Sequence, residues 1–140
     1  MSASENKAIL QHICAELAKG NSTPFREAMA DDFTWILTGT TAWSGTYRGK
    51  QAVIDDLLTP LRAQFTTQYT NTATRFIADE DYVVVECRGD VMTRSGKPYN
   101  NVYCWVFRLQ DGKLKEMTEY MDTQLVVEVL GVPERAAVHA

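Results

Sequence analysis

The chain has 140 residues, 45% hydrophobic and 23% charged, with a net charge of −4. Such a chain forms one domain and buries roughly two thirds of its unfolded surface. Its apolar content argues against disorder, no basic block suits nucleic acid, and no run nears the roughly 18 apolar residues of a membrane span.

Residues 5–19 carry Ile9, Leu10, Ile13, Cys14 and Leu17 at helical spacing. Ser2 and Glu5 have the separation of a capping box, and Gly20 stands where such a helix stops. A second, short helix starts at Thr23-Pro24, with Thr23 as N-cap, and ends by Asp31-Asp32. Residues 33–38 alternate as a strand, and 39–49 read as a loop rich in Thr, Ser and Gly. A third helix over 50–65 presents Val53, Leu57, Leu61 and Phe65 on one face. Pro60 lies inside it, which predicts a kink or break just before that residue. Strands follow at 67–77, 82–93, 99–109 and 113–122, and the residues after 131 read as a loose tail. Short turns between long strands make antiparallel hairpins. Helices first and a meander afterwards predict an α+β fold, one domain over 1–140 with its core at about 5–130.

Cys14, Cys87 and Cys104 are too few and too scattered for a disulfide framework or a zinc site, and read as small buried side chains. No phosphate loop, dinucleotide fingerprint or metal-ligand spacing occurs, so neither a cofactor nor a metal is expected. The N-terminus lacks the layout of a signal peptide, so the expected compartment is the cytoplasm.

Strand alternation sorts the side chains into faces. Val83, Val85 and Cys87 share one face of their strand, and Val102, Cys104 and Val106 share one face of the next. Taken together they form an apolar surface for a second copy of the chain, which predicts a homodimer. The other face carries Arg88, Asp90, Met92, Asn101, Tyr103 and Trp105, with Glu119 and Met121 from the last strand. An apolar cavity with a few converging polar groups is the form of a ligand site, here for an apolar small molecule. The same charges also suit a structural ion cluster at the mouth of a filled core.

The order of elements resembles the nuclear transport factor 2-like superfamily, which includes the SnoaL-like polyketide cyclases, ketosteroid isomerase and limonene-1,2-epoxide hydrolase. The resemblance rests on Gly45-Thr46-Tyr47-Arg48-Gly49-Lys50-Gln51-Ala52-Val53, on Glu86-Cys87-Arg88-Gly89-Asp90-Val91, and on the segments Tyr99-Asn100-Asn101, Asp111-Gly112-Lys113-Leu114 and Glu119-Tyr120-Met121-Asp122. It implies a cone-shaped curved sheet, antiparallel with mixed pairing, and three N-terminal helices on its concave face. The functional pattern most similar is the Asp–Arg–Asp arrangement of the epoxide hydrolases. By that resemblance Asp90 is the proton donor, Glu119 the base and Arg88 the bridge between them. Trp35 and Leu37 stand where that family places a tyrosine and an asparagine, and are expected to line the pocket.

Three readings follow. One is an enzyme doing cofactor-free acid–base chemistry (isomerisation, epoxide hydration or cyclisation) on an apolar substrate. The second is a binding protein with the same pocket, and the third a structural dimer with a filled cone.

Overall fold

The computed structural model describes residues 1–135. Helix α1 (Ala3–Leu17) starts with the expected capping box: Glu5 N donates to Ser2 Oγ at 3.1 Å, and Ser2 N donates to Glu5 Oε1 at 3.0 Å. Helix α2 (Thr23–Ala28) has Ser22 at its N-cap position, one residue earlier than expected and without a side-chain cap bond. Strand β1 (Met29–Leu37) follows without a break, and β2 (Gly45–Arg48) pairs back on it inside the expected loop.

The third helical region is broken into α3 (Lys50–Ala52), a π-helical turn (Val53–Leu58) and α4 (Thr59–Arg62). Pro60 has no N–H to offer the Asp56 carbonyl one turn back, which is why the ladder widens ahead of it. Arg135 Nε donates to that carbonyl instead, at 3.1 Å.

Strands β3 (Thr70–Asp79), β4 (Tyr82–Asp90), β5 (Val102–Gln110) and β6 (Lys113–Met121) complete a six-stranded sheet in the order β2-β1-β6-β5-β4-β3. Only β1 and β6 run parallel; every other pair is antiparallel. The register shifts between Ala73 and Arg75 in β3, and again between Arg108 and Leu109 in β5; such bulges bend a sheet. The result is a curved, unclosed mixed sheet with helices on its concave side, as expected. Among the described residues no helix is long and apolar enough to cross a membrane.

A fifth helix, α5 (Thr123–Val129), was not expected. Asp122 caps it, its Oδ1 accepting from Gln124 N at 3.1 Å and Leu125 N at 3.3 Å. The segment beyond it packs down rather than hanging loose. Trp43 Nε1 donates to Gly131 O at 2.6 Å, and an Arg135 guanidinium nitrogen donates to the Tyr47 hydroxyl at 2.6 Å. The rest of the expected tail lies outside the described residues.

The register of β4 against β5 corrects the expected faces. Val83 lies opposite Phe107, Val85 opposite Trp105 and Cys87 opposite Tyr103. Residues directly opposite share a face, so these six all turn inward and are buried. Val102, Cys104 and Val106 lie opposite Arg88, Glu86 and Val84, and all turn outward. The apolar set expected at a dimer interface is therefore split between the two faces. Alternation fixes which residues of one strand share a face, while the connection between strands decides which set of the next strand joins them.

Candidate functional site

The concave side encloses a cavity of about 490 Å³. Its walls are mostly apolar: Leu17 and Phe25 from the first two helices, Leu57, Leu58 and Leu61 from the broken helix, Trp35 and Leu37 from β1, and Val126 from α5. Phe25 of α2 sits 5.7 Å from the Trp35 ring and 6.4 Å from the Trp105 ring, an aromatic floor laid against the sheet.

One carboxyl faces this space. Glu119 on β6 lines the cavity and is 7% exposed. The β5–β6 register puts it opposite Trp105, whose Nε1 donates to Oε1 at 2.9 Å. Burial pushes its pKa up to about 7; the Trp105 indole, and to a smaller degree that of Trp35, hold it back from rising further. No hydrogen bond of ordinary geometry reaches Trp35 Nε1, a buried donor beside the site.

Three phenols share the cavity with Glu119: Tyr69 just before β3, Tyr99 in the β4–β5 connection, and Tyr103 on β5. Burial raises the pKa of all three, Tyr99 to about 12, and the Glu119 charge raises each further. They are therefore neutral hydrogen-bond donors at ordinary pH. Asn71 Nδ2 donates to the Tyr69 hydroxyl at 3.1 Å, and Asn101 Nδ2 donates to the Tyr99 hydroxyl at 3.0 Å. An amide that donates to a phenol oxygen leaves the phenol's own proton free for another acceptor. A buried carboxyl titrating near neutrality beside neutral phenols can take a proton from carbon and stabilise the oxyanion that results.

Residues 10–117 match the family model of the SnoaL-like domain. The chain belongs to the SnoaL-like domain family. No curated protein sequence matches it. Among solved structures, a nuclear transport factor 2-like protein from Burkholderia thailandensis E264 superposes with a TM-score of 0.77 at 20% identity, covering 90% of this chain and 97% of that one. A protein from Jannaschia sp. CCS1, provisionally named a SnoaL-like polyketide cyclase, gives 0.74 at 19% identity, covering 94% and 95%. TerC, co-crystallised with polyporic acid, gives 0.74 at 20% identity, covering 89% and 96%. At these identities the likeness is one of fold.

Within this SnoaL-like domain the expected site residues separate. Glu119, Trp35, Leu37, Tyr103, Trp105 and Met121 line the cavity. Arg88 and Asp90 do not: both are exposed, and the register turns their side chains to the outer face, away from Glu119. The expected Asp90–Arg88–Glu119 cluster is therefore not assembled. Met92 is exposed as well. Asn101 is fully buried behind Tyr99; it positions that phenol and also donates to Asp122 O at 3.1 Å. Trp43 and Tyr47, from the segment read as a loop, are both buried, and Trp43 is part of the cavity wall. Tyr69 and Tyr99 stand at the starts of the expected strands 67–77 and 99–109 but just outside β3 and β5 as formed, and neither was singled out as a site residue. The available signal was Gly89, which leaves room on the buried face for the Tyr69 ring.

Proposed function

We propose that this SnoaL-like protein is an enzyme performing cofactor-free acid–base chemistry on an apolar small molecule held in the cone cavity. The observation that carries the reading is Glu119, the one buried carboxyl among the described residues, with a pKa of about 7 inside an apolar cavity. Deprotonated Glu119 takes a proton from the carbon next to a substrate carbonyl. The electron pair moves onto the carbonyl oxygen, where Tyr103 with Tyr69 or Tyr99 donates hydrogen bonds. Return of the proton to another carbon isomerises the substrate, and attack of the enolate carbon on an internal electrophile cyclises it. Epoxide hydration is the least supported of these chemistries, because it needs a second carboxyl and Asp90 lies on the other face. A cavity of about 490 Å³ favours both the enzyme and the binding protein over a filled cone. That a fold neighbour was crystallised with polyporic acid agrees with small-molecule use of this space.

The test is hydrogen–deuterium exchange at carbon. Tetralone and related apolar ketones are incubated with the protein in D₂O and followed by NMR. Exchange above the buffer rate that disappears in Glu119→Gln is the expected result. Binding of these ketones with no exchange in the wild type would overturn the enzyme reading in favour of the binding protein.

We also propose that the outer face pairs two copies of the chain. Ile77, Val102 and Tyr120 stand there 54%, 51% and 50% exposed. The same face carries both signs of charge, Arg75 with Glu86 and Arg88 with Asp90. A two-fold interface needs such self-complementarity. Sedimentation should find a dimer that Val102→Glu converts to monomer; a monomeric wild type would overturn this.

A further inference from the structure

Two arginines stand at the cavity without a counter-ion among the described residues. Arg26 on α2 and Arg62 on α4 both line it, beside Ser22, Thr67 and Gln68. The three ion pairs among the described residues are Lys19–Glu16, Arg75–Glu86 and Lys115–Asp32, and none involves either arginine. Arg62 Nη2 donates only to the Ser22 hydroxyl, at 3.2 Å. Arg26 Nε is fully enclosed and has no hydrogen-bond partner. Burial lowers the pKa of Arg26, and the Arg62 charge lowers it further, so the two cations feel each other.

This arrangement is costly as it stands. An enclosed donor with no acceptor loses its hydration for nothing, and two like charges repel. The chain carries 18 acidic residues, four more than its basic ones, yet sets none against this pair. An anion between the guanidinium groups would offset the two charges and relieve the repulsion. The guanidinium fork matches a carboxylate in geometry, and such charge-assisted bonds are the stronger kind. Ser22, Thr67 and Gln68 add neutral hydrogen-bonding groups to the same rim and no competing negative charge. Glu119 is set by burial and the indoles rather than by these cations, so proton transfer and anion recognition fall to different residues.

We propose that Arg26 and Arg62 bind the carboxylate of an apolar acid whose body fills the cavity. The inference rests on the cavity being the substrate site, and it narrows the substrate class from apolar molecules to apolar carboxylic acids.

The test compares naphthylacetic acid with naphthylacetamide, which differ in charge and hardly in shape. Trp35, Trp43 and Trp105 line the cavity, so their fluorescence reads binding directly. At pH 8 the acid should bind about ten-fold more tightly than the amide. Arg62→Gln, at an exposed position, should erase most of that preference, and Arg26→Gln the remainder. Affinity for the amide should fall far less than affinity for the acid, while Arg62→Lys keeps part of the preference. Glu119→Gln should leave the acid's advantage intact. Equal binding of acid and amide, a preference that survives Arg26→Gln/Arg62→Gln, or binding of neither compound would overturn the proposal. The failures remain distinguishable: loss of Glu119-dependent exchange with the acid preference intact sinks only the enzyme reading, and loss of the preference with exchange intact sinks only the anion site.

Discussion

Trp105 donates its indole N–H to Glu119 from the facing position of the neighbouring strand, 2.9 Å from Oε1. That bond favours the ionised carboxyl in a site where burial disfavours it. Trp105→Phe removes the donor and keeps most of the packing. The Glu119 titration should then move upward from about 7, and the pH at which carbon exchange reaches half its maximum should move with it. NMR of the labelled glutamate carboxyl checks the first and the exchange rate the second. An unmoved or lowered titration would mean that the bond is not what holds the pKa down.

The same raised pKa makes stability depend on pH with a definite sign. The unfolded chain ionises Glu119 near its ordinary value of 4.5, while the folded one waits until about 7. Between those values the unfolded state has lost a proton that the folded state keeps, so stability falls as pH rises through that window and levels off above it. The full span is about 3 kcal/mol at most. Glu119→Gln cannot ionise and should flatten that part of the profile. Urea unfolding of both proteins from pH 4 to pH 8 decides it, and parallel profiles would contradict the shift.

Asp90 and Arg88 illustrate what sequence does and does not carry. The capping box of Ser2 and Glu5 and the break at Pro60 are local signals, readable because each needs only residues within one turn. The other helices and strands were readable from local periodicity, whereas β2 and α5 were not. The face on which Arg88 and Asp90 sit depends instead on how β4 and β5 align across the 91–101 connection. There Tyr99 N bonds Val91 O at 2.8 Å and Gly89 N bonds Asn101 O at 2.9 Å, and no periodicity within either strand encodes that pairing. Asp90→Asn should therefore change carbon exchange less than two-fold, whereas a loss as large as that of Glu119→Gln would return it to the site.

Tyr103 differs from Asp90 in that its hydroxyl is enclosed with Glu119, Tyr69 and Tyr99. Tyr103→Phe deletes one donor to the expected oxyanion, together with the hydroxyl's contacts to Tyr69 and Tyr99. Removal of a comparable donor elsewhere costs about a hundred-fold in rate or more. The exchange rate should fall by about that factor while ligand affinity changes little. A fall in affinity with the rate per bound ligand unchanged would make Tyr103 a binding residue only.

Gly89 gives the sharpest check on how the phenols are held. It lies on the buried face of β4, and a Cβ there would stand 2.8 Å from the Tyr69 hydroxyl and 3.0 Å from Cε2. The Tyr69 ring cannot easily yield. It stacks on Phe65 with ring centres 5.6 Å apart, and its hydroxyl accepts from Asn71. The Gly89 backbone is ordinary strand, so alanine meets no conformational penalty there, only this collision. Gly89→Ala should cost about 1–3 kcal/mol as overpacking. It should also slow exchange by displacing a phenol that the substitution does not itself remove. Tyr69→Ala takes away the obstacle, so in the double variant the cost of Gly89→Ala should largely vanish. Neighbours that share a contact are non-additive in this way, and independent sites are not. Denaturant melts of the two single variants and the double variant measure the coupling directly. Strictly additive costs would mean that Gly89 is required for some reason other than the Tyr69 ring above it.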